Sequence, residues 1–212
     1  MGQPIILDGV TVTGGYAAER VVGDDAYADN FYKGGAICVD GTDRGSDNSD
    51  QSADRRYIPF TIRRSLIYGN SGVLGGAIYN TGICSIFSSQ ISANEAVESS
   101  LTDEYAGSGG ALYVDGAVYS VNSLYANNEA DNLGGVIFNE SDSRIWVVNC
   151  NLVRNKADSY PCIYSLNKSS IGKEDLNLAS NLVFNTVFWG NESVRNSYTI
   201  NKWQTEGSLY DD

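Results

Sequence analysis

Carboxylates, guanidinium groups and aromatic rings are the side chains through which this chain of 212 residues could do chemistry, because it contains no histidine. Segment 40–54 gathers five carboxylates (Asp40, Asp43, Asp47, Asp50 and Asp54) among Gly, Ser, Thr and Asn. Hard cations such as calcium take oxygen ligands of this kind from flexible loops, but the EF-hand spacing is missing. A solvated loop is therefore the expectation, and calcium is the one cofactor left open. Glycoside hydrolysis would need two carboxylates facing each other across a groove. Asp103, Glu104 and Asp115 are possible members, with no pair at an evident shared position. A lyase acting on uronates would need a base and a neutraliser for the sugar carboxylate. Arg55-Arg56 and Arg63-Arg64 are the only doubled bases, and charge balance beside the acidic insert is their simpler role. Motifs of the GxSxG and GK[ST] kind are absent. No catalytic residue is assigned, and a non-enzyme is the favoured expectation.

The four cysteines (Cys38, Cys84, Cys150 and Cys162) form no CxxC pair, so free and mostly buried thiols are expected rather than a metal site. A formal charge of −12 and a pI near 4.3 argue against nucleic acid as a partner, since phosphate binding depends on clustered Lys and Arg. No apolar run approaches the roughly 20 residues that a membrane-crossing helix needs, so direct membrane insertion is not expected. Met1-Gly2 leads straight into the strand-like Ile5-Ile6-Leu7, which suggests a segment cut from a longer protein, its signal peptide left behind.

The elements that position these groups are announced by internal repetition. One string recurs as Gly34-Gly35-Ala36-Ile37, Gly75-Gly76-Ala77-Ile78, Gly109-Gly110-Ala111-Leu112 and Gly134-Gly135-Val136-Ile137, with Tyr160-Pro161-Cys162-Ile163-Tyr164 as a degenerate fifth copy. A second string alternates with it: Ile67-Tyr68-Gly69-Asn70, Ile91-Ser92-Ala93-Asn94, Leu124-Tyr125-Ala126-Asn127, Leu152-Val153-Arg154-Asn155 and Phe188-Trp189-Gly190-Asn191. In the first repeat Gly15 stands where the others place Asn. Copy spacings of 41, 34, 25 and 26 residues suit a solenoid with inserts at its turns. The pattern predicts an all-β fold, a single parallel β-helix domain over 1–212 with about six coils and inserts at 16–33, 40–58 and 95–108.

Period-two alternation assigns faces. Ile37, Ile78, Leu112, Ile137 and Ile163 should point inward, as should Ile67, Ile91, Leu124, Leu152 and Phe188. Ser65, Ser89, Asn122, Cys150 and Thr186 should share the face of the second column. The five asparagines Asn70, Asn94, Asn127, Asn155 and Asn191 are expected to form a structural ladder, because Asn tolerates a left-handed backbone and hydrogen-bonds nearby main chain. Cys38, Tyr79, Tyr113, Phe138 and Tyr164 fall on the outward side. Tyr79, Tyr113, Phe138 and Tyr164 are therefore the candidate ligand-binding residues, an exposed aromatic line able to stack on sugar rings or meet a protein; the alternatives are that inserts cover these rings or that the faces are reversed and they are core. The sequons at Asn139, Asn167 and Asn191 are expected to be coincidences of Asn-rich turns.

The alternation of GGA[IL] with apolar-x-x-Asn resembles the GGAI and FxxN repeats of chlamydial polymorphic outer membrane proteins. Leu7-Asp8-Gly9-Val10-Thr11-Val12-Thr13-Gly14-Gly15 and Asn185-Thr186-Val187-Phe188-Trp189-Gly190-Asn191 resemble phrases of bacterial pectin-lyase-like β-helix proteins. Only Phe188 gives a literal FxxN, and Tyr160-Pro161 replaces the fifth Gly-Gly. The resemblance implies a right-handed parallel β-helix at the bacterial cell surface or outside the cell, commonly serving adhesion, with a glycan or a host or bacterial surface protein as partner. A polysaccharide lyase or glycoside hydrolase of the same fold and a structural spacer are the alternatives.

Overall fold

A computed structural model describes residues 4–17, 32–41, 59–99, 105–140, 143–166 and 181–194. Four parallel sheets run the length of a β-helix solenoid, and successive coils supply successive strands. The first sheet stacks Ile5–Asp8, Phe60–Arg63, Ile83–Phe87, Ala117–Val121, Arg144–Val148 and Asn181–Phe184. The second stacks Thr11–Thr13, Leu66–Tyr68, Gln90–Ser92, Leu124–Ala126, Asn151–Val153 and Val187–Trp189. The third is built from the short strands Tyr16–Ala17, Ser71–Gly72, Glu95–Ala96, Glu129–Leu133, Lys156–Ser159 and Glu192–Ser193. The fourth stacks Ile37–Val39, Ile78–Asn80, Leu112–Val114, Ile137–Asn139 and Ile163–Ser165. The expected fold and its six coils are thus present. The third sheet begins inside two of the expected inserts, since Tyr16–Ala17 and Glu95–Ala96 are strands. Segments 18–31, 42–58 and 100–104 of those inserts lie outside the described residues, as do Asn167 and its sequon.

The corners that lead into the second, third and fourth sheets turn on a residue with a left-handed backbone. Gly9, Arg64, Ser88, Asn122, Asn149 and Asn185 hold this place between the first and second sheets, with φ between 47° and 66°. Gly14, Gly69, Ala93, Asn127, Arg154 and Gly190 hold it between the second and third. The first glycine of each GGA string, and Tyr160 in the fifth copy, hold it before the fourth sheet. The second glycine answers a different need. A Cβ on Gly76 or Gly110 would fall 2.3–2.4 Å from the carbonyl oxygen of the equivalent residue one coil on, so the coils stack there backbone to backbone.

The predicted fourth-sheet column is met: Ile37, Ile78, Leu112, Ile137 and Ile163 are in register, and all but the half-buried Ile37 are closed off from solvent. The second-sheet column is met except in the fourth coil. Tyr125, not Leu124, pairs with Ile91 and Leu152, and it is fully buried while Leu124 is half-buried on the outer side. A one-residue slip moves every side chain of a strand to the other face. The slip therefore carries through the whole coil: Ser123 replaces Asn122 in the inward Ser column, and Asn128 replaces Asn127 in the ladder.

The corrected ladder runs Asn70, Asn94, Asn128, Asn155 and Asn191, all buried. Each Oδ1 accepts both the backbone N–H and the side-chain amide of the asparagine one coil earlier, at 2.9–3.2 Å. Each Nδ2 also donates to a carbonyl of the preceding coil, such as Asn128 to Ile91 at 3.0 Å. In the first coil the N–H of Gly15 takes the ladder's place by donating to Asn70 Oδ1 at 2.9 Å. The two properties that suggested Asn are divided between neighbours: the residue before the ladder supplies the left-handed turn, and the ladder residue supplies the amide. Asn127-Asn128 shows both.

A tyrosine in this column brings a hydroxyl into the interior, where an unpaired polar group is costly. Ser120 meets it at 2.8 Å, from an inward first-sheet column that is otherwise Leu7, Ile62, Ile86, Val147 and Val183. The two polar exceptions of the fourth coil thus explain each other.

Asn128→Ala should destabilise the fold by about 1–3 kcal/mol, the range for stranding buried polar partners. Asn127→Gly, which keeps the turn's backbone and loses only an exposed amide, should be near neutral in the same denaturant titration. Ser120→Ala should cost about 1–3 kcal/mol by orphaning the Tyr125 hydroxyl, and adding Tyr125→Phe should recover most of that loss in a double-mutant cycle.

Candidate functional site

The aromatic line predicted on the fourth sheet is in register, Cys38, Tyr79, Tyr113, Phe138, Tyr164, and it lies outside the solenoid interior as alternation requires. It is not exposed. Tyr79, Tyr113, Phe138 and Tyr164 retain 7%, 4%, 0% and 9% of their accessible surface, which corrects their assignment as an open binding line. The rings stack on one another, with centroids 5.4 Å apart for Tyr79–Tyr113, 4.7 Å for Tyr113–Phe138 and 5.6 Å for Phe138–Tyr164. Val73, Leu74, Tyr105, Ala106 and Tyr160, from the segments between the third and fourth sheets, fold over them with Leu133, the last residue of its third-sheet strand, as a second core. The Lys33 ammonium sits 4.9 Å above the Tyr79 ring at one end of the stack. Burial, with Asp115 close by, pushes the Tyr79 phenol well above its ordinary range.

Exposed rings instead occupy the outer face of the first sheet. There Tyr119 pairs with Trp146 and Trp146 with Leu182, while Phe87, Val121, Val148 and Phe184 form the neighbouring column. Phe87, Trp146, Leu182 and Phe184 are 39%, 39%, 40% and 63% exposed. The Tyr119 and Trp146 rings stand nearly perpendicular with centroids 5.4 Å apart, which orients the indole. On the second sheet Tyr68 and Trp189 are exposed as well. Alternation alone would have placed these residues outward. The two-residue offset from the prominent GGA and Asn strings is what hid them.

Along the corner between the first and second sheets runs an open groove of about 580 Å³, lined on its polar side by Thr11, Arg64, Ser88, Gln90, Asn122 and Asn151. Behind them the hydroxyls of Ser65, Ser89 and Ser123 donate to the carbonyls of Arg63, Phe87 and Val121. Those of Ser65, Ser89 and Ser123 also accept a backbone N–H from the coil before, so this inner row serves the fold. Cys150 continues the row, its thiol near the Val148 carbonyl. The corner column continues past the groove as Asn149 and Asn185, whose amides join at 2.7 Å.

The doubled bases are divided. Arg55 and Arg56 lie outside the described residues, whereas Arg63 and Arg64 both close on Asp8. Arg64 does so through Nε at 2.8 Å and its terminal nitrogen at 2.5 Å. That hydrogen bonding holds the Asp8 carboxyl below the usual carboxylate range. Arg63 and Arg64 therefore balance Asp8, and residues 42–54 of the acidic insert expected in that role lie outside the described residues.

Asp103, Glu104 and residues 42–54 lie outside the described residues. Asp115 shares its position with Glu140 one coil on: their N–H groups donate in the same way to Asn80 and Val114. The Tyr113 hydroxyl donates to Glu140. Asp115 and Glu140 are the shared-position pair that the strings did not reveal, because each follows its strand at a turn. Another acidic group, Glu95, Glu129, Asp131 and Glu98, gathers on and beside the third sheet, where the Glu98 N–H donates to Asp131. Partial burial, then Asp131 and Glu129, raise the Glu95 carboxyl above the ordinary glutamate range. Among the described residues no three His, Cys, Asp or Glu side chains are grouped to hold a metal ion. All four cysteines are free thiols, Cys38 exposed and the others buried, with Cys84 pushed up to about 12 by burial. Asn139 and Asn191 are buried, so the sequons they begin are closed to modification in the folded chain. Among the described residues no helix is long and apolar enough to cross a membrane.

Comparison with known proteins adds nothing to this geometry: no family model, no curated protein and no solved structure matches the chain.

Because the raised Glu95 pKa reflects a charged form that the fold disfavours, the resulting destabilisation is present above the folded pKa and disappears as the group protonates. Glu95→Gln should accordingly raise the melting temperature at neutral pH and leave it nearly unchanged in mild acid. An equal gain at both pH values would show that packing, not charge, sets the effect.

Proposed function

We propose that this chain is a non-enzymatic binding segment of a bacterial cell-surface or secreted β-helix protein. It contacts a glycan or a surface protein through the outer corner of its first and second sheets. The observation that carries this reading is the juxtaposition there of exposed rings (Phe87, Trp146, Phe184) with a groove of amides and hydroxyls. Rings supply large contact area at low cost in side-chain freedom, and amides and hydroxyls orient a polar ligand beside them. The groove's arginine is already matched by Asp8. Binding rather than bond cleavage is what this set of groups is suited to. The resemblance of the GGA and Asn strings to surface-protein repeats supports the location.

The enzymatic alternative has a specific basis in Asp115 and Glu140. They stand one coil apart, and the roughly 4.8 Å between parallel strands approaches the 5–5.5 Å carboxylate separation of retaining glycosidases. Against it, Glu140 accepts the Tyr113 hydroxyl beside a covered aromatic stack.

Trp146→Ala and Phe184→Ala should each weaken adhesion to cells or immobilised glycans by about two- to tenfold, from stacking contributions of about 0.5–1.5 kcal/mol, with circular dichroism unchanged. Full adhesion by the double variant would move the ranking to a spacer. Release of reducing sugar by the wild type, abolished in Glu140→Gln, would move it to an enzyme.

A further inference from the structure

Resting on the reading of this corner as a binding face, we infer that its ligand is an uncharged linear polysaccharide lying parallel to the solenoid axis, one sugar residue to each coil. The corner is periodic in that direction. Neighbouring strands lie about 4.8 Å apart, close to the length of one hexopyranose in an extended chain. The chemistry repeats at the same interval: Ser88, Asn122, Asn149 and Asn185 place one hydroxyl or amide at the same corner position in each of four successive coils. Gln90 and Asn151 add amides from the outer face of the second sheet, in register with one another through Leu124. A sugar chain offers hydroxyls at a matching repeat, each able to donate and accept.

Electrostatics selects among glycans. Among the described residues the groove's one ionic side chain, Arg64, is closed on Asp8, and a chain of net charge −12 repels polyanions. Trp146 and Phe184, on the first-sheet side of the corner, supply faces for the apolar C–H surface of the sugar rings. A globular protein partner is matched less well, because a single polar file along the axis separates the apolar columns of the two sheets.

Titration calorimetry with cello-, xylo-, manno- and chito-oligosaccharides from dimer to hexamer tests this, with oligogalacturonides as the anionic arm. At least one neutral series should gain about tenfold in affinity from dimer to tetramer and then level off, as the four-coil file is filled. The variant Asn122→Gly/Asn149→Gly keeps the left-handed corners while removing two amides. It should flatten that length dependence and retain the wild-type melting temperature within a few degrees. Length-independent binding, or preference for oligogalacturonides, would overturn the axial, uncharged ligand while leaving glycan binding intact. No binding in any series, with Trp146→Ala still weakening adhesion to cells, would overturn the glycan altogether in favour of a protein partner.

Discussion

Buried backbone polarity at the corners is the constraint on which this molecule depends. A coil that turns on single residues leaves main-chain N–H groups facing the interior where no strand partner can reach them, and such groups are rarely left unpaired. The Asn ladder resolves this by letting one side-chain oxygen accept two donors from the coil before, while its own amide donates to a carbonyl of that same coil. At the neighbouring corner each Ser hydroxyl accepts one N–H from the coil before and donates to a carbonyl of its own coil. Once both rows are in place the coils share one rise, and the aliphatic columns between them can stack in register as a continuous core. The left-handed residues then carry a local cost of roughly 1–2 kcal/mol where they are not glycine, as at Arg64, Ala93 and Arg154, and the satisfied corners offset it.

That constraint also sorts the outer surface. Side chains that leave the fourth sheet meet the segments running between the third and fourth sheets, and their rings are drawn into a second core. No comparable segment among the described residues covers the first-sheet rings, so Trp146 and Phe184 stay in solvent beside a file of polar corner residues. Aromatic character was therefore a poor guide to exposure here; what decided it was which neighbouring loop carried apolar residues.

Most of the architecture was legible because glycine pairs and asparagines repeat at positions where backbone geometry admits few alternatives. The errors came where two residues competed for one role. Leu124 looked like core beside Tyr125, and Asn127 looked like ladder beside Asn128. Aligning the coils on Ser65, Ser89 and Ser123 instead would have resolved both, since the apolar residue follows at two positions and the ladder Asn at five in every coil from the second to the sixth. The third sheet escaped notice because its inward residues are Gly72, Ala96, Ala130 and Ala157, too small to mark a hydrophobic column. The corner groove was equally hidden, as its lining is assembled from short runs more than twenty positions apart in the chain, at 9–11, 64–66, 88–90 and 122–124, with Asn151.

The direction of the ladder has a mechanical meaning. Its amide bonds, like the strand-to-strand bonds, point along the solenoid axis, so tension applied from end to end bears on the interfaces between coils in series. Each interface carries the same load, and the weakest gives way first without drawing on the strength of the rest. Tension transverse to the axis, by contrast, is shared by many coils at once. A solenoid built this way resists being sheared sideways far better than being drawn out, and its extension under load would proceed in steps of one coil's length of chain.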